Sequence, residues 1–203
     1  AVLLIELEGL QEEVDEIGAE VEAALWESGP TQVRTAEKAE DRDILWVGRK
    51  GALGALGSLA PNYYLVDGVV PRTQLTQVLR RVAEISQEHG IPIANVFHAG
   101  DGNLHPCLLF DERKPGAMEA IVACGAEVMK VCVDAGGTLT GEHGVGLEKK
   151  ELMPLVYSEE EMEAMRLVRE AFAPENRLNP GKIFPDGIHY QPPARTPESG
   201  LSI

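Results

Sequence analysis

Two apolar runs joined by a glycine-rich loop limit the folds that this chain can adopt. Ile93 to Phe97 and Leu104 to Phe110 have the length and apolar character of buried strands, and two glycines lie in the loop between them. Strands joined by so short a loop pair as an antiparallel hairpin. Helical periodicity surrounds this hairpin, so the sequence predicts the α+β class: an antiparallel or mixed sheet with helices packed on one side, plus a C-terminal helical segment.

The other elements are predicted from hydrophobic periodicity and from helix-ending residues. Further strands are predicted at Ala1 to Leu7, around Gln32 to Thr35 and at Tyr63 to Val70. Helices are predicted at Leu10 to Leu25, Asp43 to about Leu59, Pro71 to Gly90, about Pro115 to Ala135, and Ser158 to about Phe172. In the fourth helix the side chains expected to face the core are Met118, Ile121, Val122, Val128, Met129 and Cys132. The last helix begins with a capping box, Ser158-x-x-Glu161.

Composition excludes some classes of partner and favours others. The net charge of -15 over 203 residues repels phosphate backbones, so no nucleic acid partner is expected. It does not exclude an anionic substrate, because a pocket can be locally positive. The three cysteines form no CxxC pair, which fits reduced thiols and a cytoplasmic location, with Cys124 and Cys132 buried. One domain is expected at 1–185, followed at 186–203 by a Pro-, Ser- and Gly-rich tail that is extended or disordered.

The hairpin loop is the first candidate site. Residues His98–His105 read HAGDGNLH and place one histidine at the end of each predicted strand, where the turn can bring both together as the start of a metal site. The alternative is a tight hairpin whose histidines merely lie near it. Asp101 and Asn103 are candidates to orient the histidines, and equally to form the turn.

A second glycine-rich segment supplies a candidate third ligand. Residues 138–146 read TLTGEHGVG, and adjacent loop residues point in different directions, so Glu142 and His143 can have separate roles. His98, His105 and Glu142 together form the two-His-one-carboxylate set of catalytic metal sites with open positions. This set is compatible with Zn²⁺, Mn²⁺, Fe²⁺ and Co²⁺.

Two further features carry basic residues. Arg49 shares a helical stripe with Leu45, Ala52, Leu53 and Leu56. An arginine on such a face usually extends to the rim of the core, and the alternative is an inward guanidinium that binds a carboxylate. Residues 176–185, NRLNPGKIFP, form a predicted turn with a lysine and have low specificity alone.

These segments together resemble the C-terminal domain of the FAD-linked glycolate oxidase D subunit and D-lactate dehydrogenase family, flavoproteins of the vanillyl-alcohol-oxidase type. The resemblance rests on HAGDGNLH at 98–105, GEHGVG at 141–146 and LNPGKIF at 178–184, with LWxxRK at 45–50 and DGVVP at 67–71 as further landmarks. It implies a ferredoxin-like cap domain. It also implies an FAD-binding domain in the same parent chain, which this sequence is expected to lack; no GxGxxG follows a strand here.

The resemblance also implies roles for individual residues. His98, His105 and Glu142 are expected to hold a divalent metal, Zn, Mn or Fe, beside the substrate. His143 is expected to act as base on the substrate hydroxyl, and Arg49 to bind the substrate carboxylate.

The turn near the C-terminus and two departures from the family pattern complete these expectations. Asn179 and Lys182 are expected near the flavin ring. Related 2-hydroxyglutarate dehydrogenases have an Asn where this chain has Cys107 and a Lys where it has Leu65. Both changes remove polar contacts that a second carboxylate would use, which favours a small monocarboxylate such as glycolate or D-lactate.

The function implied is an FAD-dependent 2-hydroxyacid oxidase or dehydrogenase in its full-length form, with the isolated fragment inactive. The expected partners are a small 2-hydroxy acid, the FAD-binding domain of the parent chain and an iron-sulfur electron-transfer subunit, with membrane association through partner subunits. The alternatives from other classes are a metal-dependent hydrolase and a non-catalytic metal-binding assembly module.

Overall fold

A computed structural model of the chain describes residues 1–173, 175 and 177–186. The tail predicted at 186–203 falls outside the described residues except for Asp186. Contacts within the chain separate it into two compact units, Ala1–Ala55 and Leu56–Ile203. Within the described ranges, none of the helices has the length and apolar character needed to cross a bilayer.

The first unit contains two helices. Helix α1 spans Gln11–Glu27 and ends at Ser28-Gly29-Pro30, as predicted, and α2 spans Ala39–Ala55, starting four residues before the predicted position. The half-buried side of α2 carries the predicted stripe of Leu45, Arg49, Ala52 and Leu53.

The two strands predicted in the first unit were wrong. Residues 1–7 and 32–35 form no strand, and Val2 and Leu3 are 90% and 60% exposed. An apolar run becomes a strand only where a neighbouring strand supplies hydrogen-bond partners, and the described strands of this chain pair only with one another.

The second unit contains a four-stranded sheet around one central strand. Strands β1 (Asn62–Leu65), β2 (Gly68–Val69), β3 (Ile93–His98) and β4 (Asn103–Phe110) are joined in it. β3 pairs with one edge of β4, while β1 and β2 pair one after the other with the opposite edge, all antiparallel. The predicted hairpin is therefore confirmed.

The single strand predicted at Tyr63 to Val70 is interrupted. Leu65 lies opposite Cys107 and Gly68 lies opposite Leu104, so the two residues between them, Val66 and Asp67, face Pro106 and His105. Pro106 accepts a hydrogen bond from the Val66 N–H at 2.9 Å but has no N–H to return, which breaks the ladder at this point.

Two helices cover one face of the sheet. Helix α3 spans Leu75–His89 and ends at Gly90, and α4 spans Ala117–Asp134. A Cβ added at Gly68, opposite Leu104, would lie 2.8 Å from Cys132 Sγ of α4, so α4 packs tightly against this face. The predicted α+β class with an antiparallel sheet is confirmed. The core is formed mainly by these elements, including Val78, Val82, Ile85, Leu104, Leu108, Ile121, Cys124, Val128 and Cys132.

The prediction for α4 needs one correction. Met118 and Val122 are 44% and 52% exposed instead of facing the core, whereas Cys124 and Gly125 are buried. The buried face of α4 is turned towards Cys124 and Gly125, because Gly125 has no side chain and allows close contact with β1. A Cβ at position 125 would lie 2.8 Å from Tyr64 Cε1.

The C-terminal part of the described chain returns to the core. A 3₁₀ turn at Lys150–Leu155 precedes α5, Glu159–Phe172. The predicted capping box is confirmed, since Ser158 Oγ accepts from the Glu161 N–H at 3.2 Å and Glu161 Oε2 accepts from the Ser158 N–H at 2.8 Å. The sheet face opposite α4 carries the side chains of Asp67, Asn103 and His105, which define the candidate site.

Candidate metal centre

The hairpin brings His98 and His105 to one place. His98 pairs with Asn103 in the ladder, and side chains two positions apart on a strand share a face, so His98 lies on the His105 side of the sheet. The two rings lie edge-on with centroids 5.5 Å apart. The turn requires a glycine at position 102, where φ is +71° and an added Cβ would lie 2.1 Å from the Val70 carbonyl oxygen.

Glu142 and His143 reach the same place from the second glycine-rich segment. Glu142 Oε1 lies 2.9 Å from His105 Nε2, and the His143 ring stacks on the His105 ring with centroids 5.1 Å apart. Ligand atoms of His98, His105 and Glu142 all lie within 4.8 Å of one another. His105 is buried while the other two are exposed, so this set of nitrogen and oxygen atoms is open to solvent on one side.

A buried carboxylate fixes the Glu142–His143 loop. Asp67 is 0% exposed, and its Oδ2 accepts from Thr140 Oγ1 at 2.7 Å and from the N–H groups of Gly141 and His143, both at 3.1 Å. Lys149 Nζ donates to the same oxygen and to the Asp67 carbonyl, both at 3.0 Å.

These contacts determine the charge of Asp67. Burial opposes ionisation, but the hydrogen bonds from Thr140, Lys149 and the His143 N–H, with the positive charge of Lys149, outweigh it and hold the pKa of Asp67 well below its usual range. The carboxylate is therefore ionised at neutral pH inside the protein.

The loop approaches the sheet closely at Gly141. A Cβ added there would lie 2.6 Å from Asn103 Oδ1 and 2.7 Å from Val69 Cγ2, so any other residue would force these side chains to shift. Asn103 is buried at this contact, and its Oδ1 has no hydrogen-bond partner among the described residues. Asp101, in contrast, is exposed in the turn, where its N–H donates to the His98 carbonyl.

A second set of ligand atoms overlaps the first. Asp67, His105 and His143 also lie within 4.8 Å of one another. Asp67 Oδ2 already accepts four hydrogen bonds, and Lys149 already balances its charge, so Asp67 is poorly suited to bind a cation. The set of His98, His105 and Glu142 fits a divalent cation better, because Glu142 is the carboxylate without such partners among the described residues.

The protonation of His105 agrees with a ligand role. Burial lowers its pKa, an effect opposed by the negative charges of Asp67 and Glu142 and reinforced by the neighbouring histidines. A histidine must be neutral to bind a metal, and a lowered pKa favours that form at neutral pH.

The predicted Asn179–Lys182 turn is clamped by an arginine of α5. Arg169 donates to the carbonyls of Leu178, Asn179 (2.7 Å) and Lys182 (3.3 Å). The Ile183 N–H donates to the Gly146 carbonyl at 2.8 Å, which joins this turn to the segment after His143. Both His143 and Lys182 line a pocket of about 350 Å³, so the structure brings these two predicted residues to one surface.

One functional candidate belongs to the first unit, and others were missed. Arg49 is half-buried on α2 of the first unit, and its substrate role stays a prediction. Asp67 appears in the sequence only as part of a landmark, and no sequence pattern points to Lys149 or Arg169. Their contacts join segments far apart in the chain, for example 82 positions for Asp67 and Lys149, which periodicity does not detect.

Comparison with known proteins shows the family of this chain. Residues 1–183 match the family model described as FAD linked oxidases, C-terminal domain. The chain belongs to this family. The match confirms the resemblance seen in the sequence, and the two glycine-rich segments and the Asn179–Lys182 turn all lie inside the matched range.

Individual relatives in the family are named as oxidoreductases. The chain is 42% identical over 185 residues to glycolate oxidase subunit GlcD of Escherichia coli (strain K12), covering 91% of this chain and 37% of that protein. It is 38% identical over 184 residues to GlcD of Bacillus subtilis, covering 91% and 39%. It is 31% identical over 189 residues to the mitochondrial D-lactate dehydrogenase (cytochrome) of Kluyveromyces lactis, covering 90% and 32%. The chain thus spans well under half the length of these relatives.

Proposed function

We propose that this chain is the substrate- and metal-binding domain of an FAD-dependent enzyme that oxidises a small 2-hydroxy acid to the 2-oxo acid. The observation that carries the proposal is the convergence of His98, His105 and Glu142 beside His143 in a member of this family. The relatives are named for glycolate and D-lactate, which are both 2-hydroxy acids with one carboxylate. Family membership favours this function over a metal-dependent hydrolase or a metal-binding assembly module.

The metal centre would hold and polarise the substrate. His98, His105 and Glu142 would bind a divalent cation, and the chemistry that such a cation supplies is Lewis-acid stabilisation of the substrate oxygens. His98 and Glu142 are exposed while His105 is buried, so the substrate would approach from the side of the two exposed ligands. The burial of His105 would exclude solvent from that ligand and restrict the motion of its ring, which favours a single geometry of the site.

His143 would remove the hydroxyl proton. Its backbone N–H is fixed by Asp67 and its ring stacks on His105, so both ends of the residue are positioned. The ring is nearly half exposed, which leaves it accessible to a substrate bound at the neighbouring cation. A histidine so placed is suited to general-base catalysis.

The electron acceptor of the reaction is the FAD that the family name implies. The pocket of about 350 Å³ beside His143 has Lys182 and two glycines, Gly144 and Gly146, in its wall, so a planar ring could approach the backbone closely. Asn179 and Lys182 would lie along that ring, held in place by Arg169. We propose that the remaining contacts to FAD lie outside this chain, so the purified chain should be colourless; a yellow preparation with near-stoichiometric FAD would contradict this.

The preference for a substrate with one carboxylate would come from Leu65 and Cys107. These residues lie directly opposite each other across β1 and β4, on the same sheet face as His105. Burial raises the pKa of the Cys107 thiol, which therefore stays neutral. Neither side chain offers a charge to a second carboxylate, which favours a monocarboxylate. Arg49 is proposed as the partner of that one carboxylate.

Partner subunits belong to the same proposal. The two bacterial relatives are each named as a subunit of glycolate oxidase, so we propose that this protein too works with further subunits. An iron-sulfur subunit that passes electrons onward is the partner we expect.

Metal counting tests the centre directly. The purified chain, loaded with Zn²⁺, Mn²⁺ or Co²⁺ and dialysed, should retain about one ion per chain by elemental analysis. His98→Ala should lose most of it, while His89→Ala should not, because His89 pairs with Glu127 between α3 and α4. Equal metal in His98→Ala and the unmodified chain would show that the ligand assignment is wrong.

A chimera tests the reaction. Residues 1–183 would replace the matching segment of the Escherichia coli glycolate oxidase subunit, and reduction of an acceptor dye would be measured with glycolate, D-lactate and D-2-hydroxyglutarate. We expect turnover of the two monocarboxylates that is lost in His143→Asn. A chimera that binds FAD and metal but oxidises none of these acids would refute the function, and a preference for the dicarboxylate would refute the substrate class.

A further inference from the structure

One buried side chain contacts both halves of the proposed metal centre. Asp67 lies opposite His105 in the register of the sheet, and its Oδ1 is 3.9 Å from His105 Nδ1. Through Oδ2 the same carboxylate accepts the N–H groups of Gly141 and His143. Asp67 therefore links the β4 ligand to the loop that carries Glu142.

The two oxygens of Asp67 are not equally occupied. Among the described residues, Oδ2 accepts four hydrogen bonds, whereas Oδ1 accepts only a long one, 3.4 Å, from the Glu142 N–H. Oδ1 therefore has acceptor capacity left on the side that faces His105.

The His105 ring has a nitrogen that could donate a hydrogen bond to this oxygen. Its Nδ1 is buried and has no hydrogen-bond partner among the described residues, while its Nε2 faces Glu142 at 2.9 Å. A histidine that binds a cation through Nε2 carries a proton on Nδ1, and that N–H is usually held by a carboxylate or carbonyl. A closure of about 1 Å would bring Nδ1 and Oδ1 within hydrogen-bond distance.

We propose that Asp67 is the positioning residue of this site. Through Oδ2 it holds the Glu142–His143 loop, and through Oδ1 it accepts the Nδ1–H of His105 when Nε2 binds a cation. Asp67 touches neither substrate nor cation in this role. The second part rests on the proposed metal centre; the first part does not.

The test uses the 203-residue chain with Co²⁺ as the only probe. Three variants separate the two roles of Asp67. Asp67→Asn removes both the loop-holding role and the His105 role, whereas Thr140→Val removes one donor to Oδ2 and leaves Oδ1 unchanged. Asp111→Asn is the matched control, because its carboxylate pairs with exposed Arg113. Amide exchange at 141–143 is measured without metal. Co²⁺ affinity and the paramagnetically shifted ring N–H resonances are measured with it.

We expect the Co²⁺-loaded wild type to show one slowly exchanging ring N–H, from buried His105, since His98 is exposed. Asp67→Asn should speed amide exchange at 141–143, lose the slow ring N–H and weaken Co²⁺ binding about 10- to 100-fold. Thr140→Val should speed amide exchange but keep the slow ring N–H. Asp111→Asn should match the wild type in all three measurements.

Each part of the proposal can fail separately. Unchanged amide exchange in both Asp67→Asn and Thr140→Val would overturn the loop-holding role. Absence of a slowly exchanging ring N–H in the Co²⁺-loaded wild type would overturn the His105 role, and this measurement needs no variant to fold. If the wild type bound no Co²⁺, the metal centre and the His105 role would both be wrong, and amide exchange alone would decide the loop-holding role.

Discussion

Replacing Lys149 by methionine would leave Asp67 buried without its cationic partner. Lys149 is 4% exposed and Asp67 is 0% exposed, and the ammonium group donates to both the carboxylate and the carbonyl of Asp67. Removing one member of a buried ion pair typically costs about 3–5 kcal/mol, because the remaining charge stays buried and uncompensated. Against a typical total of about 5–15 kcal/mol for a domain, such a loss is large.

The loss should depend on pH in a defined direction. In the native protein the pKa of Asp67 is held below its usual range, so the carboxylate adds stability above its unfolded pKa of about 3.9 and that contribution is lost as the pH falls further. Without Lys149 the folded pKa of Asp67 should rise, since the cation and its hydrogen bond are causes of the depression. The deficit of Lys149→Met should therefore be largest near pH 7. It should shrink as the pH falls through the raised folded pKa of Asp67 in the variant towards the lower folded pKa in the native chain.

Urea unfolding of the metal-free chain, followed by circular dichroism between pH 7 and pH 3, measures this deficit. Lys130→Met is the matched control: Lys130 pairs with Asp134 on the surface of α4, and exposed pairs contribute little. A Lys149→Met deficit under about 1 kcal/mol at pH 7, or one that persists undiminished in acid, would refute the reasoning.

Three further predictions concern the loops and α5. In the chimera, Glu142→Gln should lower metal affinity, and its turnover should recover with excess metal. His143→Asn should keep its metal and lose about 10²- to 10⁴-fold in turnover, and added metal should not restore it. The opposite pattern would exchange the two roles. Gly102→Ala should lower the free energy of unfolding by at least about 1 kcal/mol, because φ is +71° and the methyl group would meet the Val70 carbonyl. Gly100→Ala is the control, since a methyl group there meets open space, and it should change the free energy of unfolding by under about 0.5 kcal/mol. Equal urea midpoints for the two variants would contradict this prediction. Ser158→Ala should cost about 1 kcal/mol in the same assay through loss of the helix cap, and an unchanged midpoint would show that the capping box adds nothing.

The parts of the fold that depend on local patterns were predictable from the sequence. The hairpin of β3 and β4, the capping box at Ser158 and the end of α3 at Gly90 are all encoded within a few residues, and all are confirmed. The proximity of His98 and His105 follows from that hairpin, because His98 pairs with Asn103 and His105 lies two residues further along the same strand, on the same face.

Features that depend on distant partners were not predictable in this way. Ala1 to Leu7 has the composition of a buried strand, but composition does not show whether a partner strand exists, and none of the described strands pairs with it. Asp67 lies in an apolar strand pattern, and only the folded chain brings Thr140, His143 and Lys149 to its carboxylate.

The close contact at Gly141 has a consequence for how this family can diverge. A side chain at position 141 forces Asn103 or Val69 to shift while both keep their present size, so a mutation there is tolerated best after a neighbour has already become smaller. Substitutions at these three positions are therefore order-dependent, and lineages should change them jointly. In a set of homologous sequences, an enlarged residue at 141 should coincide with a reduced one at 103 or 69.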